Sequence, residues 1–318
     1  MKKRFLVVVR AGDNSLHPQW LGNGATRSWD LIVNYYGDDP QRYRDADGGV
    51  VRIDSKGPKW PALHKLLTDT RDAWRDYDYI WLPDDDLATN CADIERMFEL
   101  VDAMRLHLAQ PSLSWNSHVS LPMTLHNPNF ALRYSSFVEP MAPCFSRELL
   151  ERVLPTFGEI ISGWGLDYVW PSFLKNPGRE CAILDCVQVT HTRPVGGPNY
   201  DFNRRQGVDP RAEMTGLLKK YGIPGIMTIS YGGLDREGNT YNLFGPEGGE
   251  FIARICEGYL DKLRGNERVL GTIFAWHAEA RRDYLAPLGT VDVAGRAPLD
   301  KIRDAMAKLA ERETAAAR

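Results

Sequence analysis

A short apolar run that ends in three adjacent carboxylates constrains this chain most strongly. Residues 79–82 read Tyr-Ile-Trp-Leu, and after Pro83 come Asp84, Asp85 and Asp86. The run predicts a buried strand, so the carboxylates follow its C-terminal end, where open α/β sheets bind their ligands. Divalent metal ions are the usual counter-ions of such clustered carboxylates. The alternative is a solvated acidic turn that caps the next helix.

Strand-like and helix-like segments alternate over the first 90 residues. Apolar runs at 5–9, 29–36 and 50–53 predict strands, and residues 57–67 predict a helix with prolines near its first turn. This alternation predicts an α/β fold with a Rossmann-type mixed, mostly parallel sheet flanked by helices. The loop after the first strand lacks the G-x-G-x-x-G spacing, so a dinucleotide fingerprint is excluded.

The character of the sequence changes after residue 207. Upstream, residues 92–105 predict a helix, and residues 137–145 and 181–190 predict strands. We therefore divide the chain into a domain of residues 1–207, with halves of about 1–110 and 111–207, and an extension of residues 208–318. The extension is predicted to be α+β. It comprises a helix at residues 210–221, a hairpin of strands 227–231 and 240–244, and three further helices at 250–263, 269–284 and 299–309.

Composition narrows the classes of protein that this chain can be. A net charge of −3 over 318 residues, with a pI of about 6.2, argues against a nucleic-acid binder. Five cysteines without a C-x-x-C pair predict free thiols in a reducing, cytoplasmic setting. The apolar run at 5–9 is too short for a signal peptide, and no transmembrane segment is expected. Peripheral membrane association and the oligomeric state stay open.

A second unusual stretch reads Ser-Gly-Trp-Gly-Leu-Asp over residues 162–167. Glycines permit close approach of the backbone to a ligand, and Trp164 offers an apolar platform for a sugar face. The structural alternative is a helix-entry turn, with Trp164 in the core and Asp167 near a helix N-terminus.

The strand predicted over 181–190 is followed by His191 and Arg193. A histidine at the end of a strand is a candidate metal ligand or phosphate contact, although a lone histidine is more often structural. Arg193 is a candidate phosphate contact. Solvated surface charge is the alternative, and it is favoured for Arg204 and Arg205.

Several segments together resemble one protein family. The resemblance extends over about residues 5–200, and the family is catalogued as domain of unknown function 707, which implies no activity. The segments that carry the resemblance are residues 10–17, 29–36, 59–64, 79–87, 108–111, 137–143 and 162–167.

The layout is also similar to that of GT-A glycosyltransferases. The aspartate triplet contains a D-x-D motif after a strand, and residues 163–167 are similar to the Trp-Gly-x-(Glu/Asp) element of Golgi galactosyltransferases. In those enzymes the acidic residue is the catalytic base. His191 lies where many GT-A enzymes place a late metal-binding histidine. The resemblance implies that residues 1–207 form a GT-A-like catalytic domain with a nucleotide-binding half and an acceptor half.

The same resemblance implies a function and a set of site residues. The function is metal-dependent transfer, with inversion, from a UDP- or GDP-sugar to a hydroxyl of a glycan or other acceptor. Mn²⁺ or Mg²⁺ would be held by Asp84, Asp86 and His191, and Asp167 would be the catalytic base. Asp85 is predicted to hold the loop rather than the ion, and it is also placed near the nucleotide. The nucleotide side comprises Arg10, Asp13, Tyr35, Tyr36, Lys59, Asp84 and Asp85, and the sugar and acceptor side comprises Glu139, Trp164, Gly165 and Arg193.

Two other functions remain open on the sequence. A nucleotidyltransferase or phosphoesterase would keep the metal, but phosphoesterases often use two ions and gather further Asp and His ligands. Only one acidic cluster and one well-placed histidine are evident here. The second alternative function is that of a GT-A-like module that binds a glycan without catalysis.

Overall fold

A mixed sheet of 11 strands forms the centre of the molecule. The computed structural model describes residues 3–22, 27–44, 50–194, 205–223, 226 and 228–281. Within these ranges the strands are β1 (Phe5–Ala11), β2 (Trp29–Tyr35), β3 (Val50–Asp54), β4 (Tyr79–Trp81), β5 (Leu87–Ala88), β6 (Leu108–Leu113), β7 (Leu132–Ser135), β8 (Cys144–Ser146), β9 (Cys181–His191), β10 (Ser230–Leu234) and β11 (Thr240–Asn242).

The strand order is β11-β10-β7-β9-β6-β8-β4-β1-β2-β3, and β5 pairs with β9 outside this path. Parallel pairs join β1 to β2 and β4, β2 to β3, and β6 to β9. The pairs β4–β8, β6–β8, β7–β9, β7–β10, β10–β11 and β5–β9 are antiparallel. The predicted α/β class and mixed sheet are confirmed. The parallel strands near the N-terminus are the continuous apolar runs, because helices cover both faces there.

Helices pack on both faces of the sheet. Alternate residues of β1 belong to two apolar layers, since Val7 lies in the layer that contains Phe98 and Val8 lies in the layer that contains Leu63. No helix within the described ranges is both long and apolar enough to cross a membrane. The α-helices are Lys59–Asp69, Arg71–Trp74, Cys91–Ala103, Arg147–Phe157, Leu166–Val169, Pro177–Glu180, Pro210–Lys220, Gly248–Leu260 and Glu267–Ala280, and the 3₁₀ helices are His17–Leu21, Pro122–Thr124 and Trp170–Phe173.

The strand before the aspartate triplet lies in the middle of the sheet, between β1 and β8. Beyond β4 the chain still has backbone partners, because Leu82 N donates to Pro143 O at 2.9 Å and Asp84 N donates to Met141 O at 2.7 Å. These bonds fix the triplet at the C-terminal edge of the parallel strands, as the sequence predicts.

One predicted strand is wrong over most of its length. Residues 137–145 were expected to be extended, but only Cys144–Ser146 form a strand, β8. Pro140 and Pro143 have no N–H group to donate to a ladder, so residues 137–143 form a loop instead. This loop carries Glu139 into the interior.

The C-terminal hairpin joins the main sheet, because β10 pairs with β7. The hairpin and the helices Gly248–Leu260 and Glu267–Ala280 agree with the predicted α+β extension. The predicted helix at 299–309 lies outside the described residues. The domain boundary at residue 207 stays a prediction.

Candidate active site

Asp84 faces a lysine from the helix that precedes its strand. Lys59 Nζ lies 2.5 Å from Asp84 Oδ1, and it also donates to Leu82 O at 3.1 Å and Pro140 O at 2.7 Å. Burial raises the pKa of Asp84, and the Lys59 ammonium opposes that rise. Lys59 has three protein acceptors, so in this structure it holds the triplet rather than pointing to a ligand.

Asp85 ties together three segments at the edge of the sheet. Its Oδ2 accepts from Gly12 N at 2.8 Å, and its Oδ1 accepts from Arg193 at 2.9 Å. Arg193 also donates to Asn14 O at 2.7 Å. Burial raises the pKa of Asp85, while the Gly12 N–H and Arg193 favour its charged form. The structural role of Asp85 stays a prediction. The contacts with Asp85 and Asn14 occupy much of the Arg193 guanidinium.

Asp86 and His191 face each other where β5 pairs with β9. His191 Nε2 lies 3.4 Å from Asp86 Oδ2, while Asp86 Oδ1 is buried without a hydrogen-bond partner. The other ring nitrogen, Nδ1, lies 2.7 Å from His118 O, so Nδ1 carries a proton, and Nε2 faces the carboxylate. Metal-ligating histidines usually have such a partner on the second nitrogen. Burial opposes the charging of His191, but Asp86 and the His118 carbonyl outweigh it and raise the His191 pKa to about 9.

Two more carboxylates in this region are buried and incompletely paired. Asp167 is 8% exposed and Glu139 is 3% exposed, and Asp167 Oδ1 and Glu139 Oε2 have no partner. Burial raises the Asp167 pKa to about 7. Burial and then the charge of Asp167 raise the Glu139 pKa to about 8, while His191 opposes this rise. We call Asp86, Glu139, Asp167 and His191 the open cluster.

The glycines before Asp167 are required by the local packing. Gly163 has a φ of 81°, and a Cβ atom there would lie 2.4 Å from Trp60 Nε1. Gly165 has a φ of 96°, precedes the helix Leu166–Val169, and faces Met214. Both dihedral angles favour glycine. Trp164 lies between them and is half-buried. Contact of Trp164 and Gly165 with a sugar stays a prediction.

The nucleotide side of the predicted site has one accessible aromatic ring. Tyr36 is 38% exposed, and its hydroxyl would lie 2.8 Å from a Cβ atom on Gly12. Burial raises its pKa to about 12. The Arg10 guanidinium lies 5.1 Å from the Tyr36 ring and donates to Asn34 and to Ser55 O. Burial lowers the Arg10 pKa to about 10.

The other two predicted nucleotide contacts hold each other. The Tyr35 hydroxyl donates to Asp13 Oδ1, and this bond lowers the Asp13 pKa. Arg52 lies 3.9 Å from the centre of the Tyr35 ring. Tyr35 is therefore enclosed, whereas its neighbour Tyr36 is open to a ligand.

The open cluster fits a divalent ion with few protein ligands. Within the described ranges no group of three or more His, Cys, Asp or Glu side chains is arranged to hold a metal. Asp86 and His191 form a pair, and Asp86 Oδ1 is buried without a hydrogen-bond donor. Mg²⁺ sites often use one or two carboxylates together with substrate phosphates and water. Asp86 and His191 therefore fit a cation that takes its remaining ligands from water or from a bound substrate.

Sequence reasoning missed the residues that orient His191. Ser117 Oγ accepts from His191 N at 3.1 Å, and His118 provides the carbonyl that faces Nδ1. These residues lie more than 70 positions from His191, within residues 114–135, whose Ser, Asn and Pro content predicts irregular or hairpin structure. The sequence positions of Ser117 and His118 give no signal of their contact with His191.

Comparison with known families bears on this region. Residues 56–212 match the family model described as "Protein of unknown function (DUF707)". The match covers just under half of the 318 residues, and we call the matched residues the DUF707 segment. The match confirms the resemblance seen in the motifs, and the DUF707 segment contains the whole open cluster. Residues 10–36 precede it, so their part in the resemblance stays a prediction. No curated protein matches the chain.

Solved structures similar to the chain extend beyond the DUF707 segment. One is glucosyl-3-phosphoglycerate synthase from Mycobacterium tuberculosis, in complex with Mn²⁺, UDP-glucose and phosphoglyceric acid. It has 16% identity and a TM-score of 0.42, with 76% of this chain and 86% of that chain covered. Another is S. aureus TarS 1–349, with 10% identity, a TM-score of 0.43 and coverage of 88% and 92%. Both scores lie below 0.5, so these matches leave the activity of the present chain open.

Proposed function

We propose that this chain is a metal-dependent glycosyltransferase that moves a sugar from a UDP- or GDP-sugar to a hydroxyl of a glycan or other acceptor, with inversion. One observation carries the proposal. Asp86 faces His191 at 3.4 Å at the end of the sheet strands, and Asp86, Glu139 and Asp167 each bury a carboxylate oxygen that has no hydrogen-bond partner. Buried polar atoms are nearly always paired, so these oxygens are suited to a cation and to hydroxyl donors.

Asp86 and His191 would hold the ion, through Asp86 Oδ1 and His191 Nε2. A bound Mn²⁺ or Mg²⁺ supplies charge stabilisation to the departing diphosphate. The chain keeps these two ligands oriented, since His191 is fixed by His118 O and by Ser117. His191 favours Mn²⁺ over Mg²⁺, because imidazole suits the softer ion. Asp84 lies close enough to raise the His191 pKa, and its ligand role is part of the proposal.

Asp167 would remove the proton from the acceptor hydroxyl. Its pKa of about 7 places it close to the operating pH, where a general base works best. The carboxylate is held by the short helix Leu166–Val169 behind Gly165. One base and one in-line displacement give inversion at the anomeric carbon.

The remaining residues divide between the two substrates. Tyr36 offers its exposed face to the nucleotide base, next to Gly12 and Arg10. Arg193 and Lys59 lie beside the triplet and place positive charge near the diphosphate. Glu139, Trp164 and Gly165 are proposed to line the sugar and acceptor side.

Ligand-dependent stability tests the metal part of the proposal. Mn²⁺ with UDP or GDP should raise the Tm of the chain, and saturation at a hundred times Kd corresponds to about 2.7 kcal/mol. Asp86→Asn should remove the shift, because it removes an ion ligand. The matched control is Asp69→Asn, whose carboxylate pairs with Lys65 at the surface. Equal shifts in the two variants would contradict the proposed ion site.

Turnover tests the reaction. The chain should release UDP or GDP from at least one nucleotide sugar in the presence of Mn²⁺ and a glycan acceptor. Release of free phosphate from model esters would instead indicate a phosphoesterase. Glycan binding without turnover of any nucleotide sugar would indicate a binding module.

A further inference from the structure

The buried strand residue Gln110 has no role in the proposed function. Gln110 lies on β6, between β8 and β9 in the sheet, and is 0% exposed. It belongs to residues 108–111, one of the segments that carry the family resemblance. A buried amide side chain destabilises a fold unless its polar atoms are paired. The hydrogen bonds of Gln110 therefore indicate why the strand contains this residue.

Gln110 holds the backbone amide of Glu139. Its Oε1 accepts from Glu139 N at 2.6 Å, and its Nε2 donates to Pro111 O at 3.3 Å. Glu139 is 3% exposed and lies in the loop of residues 137–143, outside any strand. A buried N–H group needs an acceptor, and here a side chain 29 residues earlier in the sequence supplies it.

The backbone that follows Glu139 is held as well. Glu139 O accepts from Ala142 N at 3.2 Å, and Pro140 O accepts from Lys59 Nζ at 2.7 Å. Lys59 also bonds to Asp84, so one ammonium group joins the loop to the aspartate triplet. The backbone of Glu139 is thus fixed on both sides, whereas its carboxyl oxygen Oε2 is buried without a partner.

We infer that Gln110 is a positioning residue for Glu139. It anchors the Glu139 N–H group while Lys59 anchors the Pro140 carbonyl, and the two bonds fix the backbone from which the Glu139 carboxyl extends. A residue within the sheet thereby shapes the sugar and acceptor side. The role of Glu139 toward a substrate rests on the proposed function, whereas the anchor rests on the hydrogen bonds alone.

Amide exchange tests the anchor without any substrate. In the wild type the Glu139 amide should be protected, and free exchange there would overturn the anchor without any variant. Gln110→Met keeps the length of the side chain and removes the acceptor, so the Glu139 amide should exchange about three- to tenfold faster. Gln110→Glu keeps an acceptor oxygen and should restore slow exchange.

The matched control is Ser112→Ala on the same strand. Ser112 is also 0% exposed, and its Oγ donates to Val187 O at 3.2 Å. The control therefore removes one buried hydrogen bond from β6 and leaves the anchor in place. Equal exchange of the Glu139 amide in Gln110→Met and Ser112→Ala would contradict the anchor.

Kinetics then separates positioning from a purely structural role. In Gln110→Met, kcat should fall about tenfold because a misplaced group costs rate, while KM for the nucleotide sugar stays within about twofold. Gln110→Glu should recover most of the lost kcat, and Ser112→Ala should retain both constants. Faster exchange with unchanged kcat would show that Gln110 supports the loop only. A wild-type chain without turnover on any donor would refute the proposed function, and the exchange rates would still decide the anchor.

Discussion

The open cluster and a second group, the closed network of Arg133, Asp185, Asn127 and Tyr259, both bury charge, but they differ in pairing. In the closed network Arg133 and Asp185 are fully buried, and both carboxylate oxygens of Asp185 accept hydrogen bonds. In the open cluster Asp86, Glu139 and Asp167 each retain an oxygen without a partner.

This difference distinguishes a charge that stabilises the fold from a charge that serves a ligand. A buried pair with complete hydrogen bonding specifies one arrangement of the strands that carry it. Buried carboxylates without donors destabilise the free protein, because burial disfavours their charged form. Such groups are typical of functional sites. Variants in the closed network should therefore lower the free energy of unfolding, whereas variants in the open cluster should lower activity.

The largest expected effect is on stability, from Asp185→Ala. This variant leaves Arg133 buried without its counter-ion, and breaking a buried pair costs roughly 3–5 kcal/mol. Urea unfolding of the variant and the wild type measures the change. A loss below about 1 kcal/mol would mean that the closed network does not hold the sheet together.

Asp167→Asn should lower activity without lowering stability, in contrast to Asp185→Ala. Turnover should fall about 10²- to 10⁴-fold, because the variant has no general base. The free energy of unfolding at pH 8 should not decrease, since the variant removes a buried charge with an unpartnered oxygen. Steady-state kinetics and urea unfolding on the same preparation check both parts. A variant that is clearly less stable would place Asp167 with the closed network.

The pH dependence of stability should reveal the open cluster. The folded-state pKa values of Asp167 and Glu139, about 7 and 8, lie above their unfolded values near 4. The folded chain then binds more protons than the unfolded chain between about pH 4 and pH 8, so metal-free stability falls as pH rises through this window. The double variant Asp167→Asn with Glu139→Gln lacks both titrating groups, so its stability should rise relative to that of the wild type as the pH increases from 4 to 8.5. Parallel pH profiles would show that these carboxyls titrate normally.

The smallest effect is expected at Asp85. Asp85→Asn weakens the contact with Arg193, which is 40% exposed on its side chain, so the cost should be about 1 kcal/mol or less. Mn²⁺ affinity should change least for Asp85→Ala and most for Asp86→Ala, with Asp84→Ala between them. Titration of Mn²⁺ into the three variants gives this order. A largest loss at Asp85 would reverse the roles within the triplet.

The sequence predicts which residues lie at the edge of the sheet better than it predicts which distant residues they contact. The triplet follows a short apolar strand, and Asp167 follows a glycine turn, as local patterns indicate. His191 was expected near the metal ligands by resemblance, and it lies 3.4 Å from Asp86. These features depend on local chain geometry or on a known family pattern.

Long-range pairs could not be predicted in the same way. Asp185 stands inside an apolar strand, so a buried partner is required, but no local pattern selects Arg133 at a separation of 52 residues. The contact of Lys59 with the nucleotide stays a prediction, and no local pattern indicated its bond to Asp84 across 25 residues. The loop of residues 137–143 was expected to be a strand, and so the burial of Glu139 was not foreseen.

The bonds of Asp85 have a consequence for the order of folding. Asp85 joins Gly12 and Arg193, which lie 73 and 108 residues away, and Arg193 reaches Asn14 across 179 residues. Contacts of such separation form only after a large loss of chain entropy. The first loop of the molecule thus acquires its final shape only after the ninth strand has been placed. A nascent chain shorter than 193 residues would already contain the residues of the nucleotide side. It would lack Arg193, and therefore the bonds of Arg193 to Asp85 and Asn14.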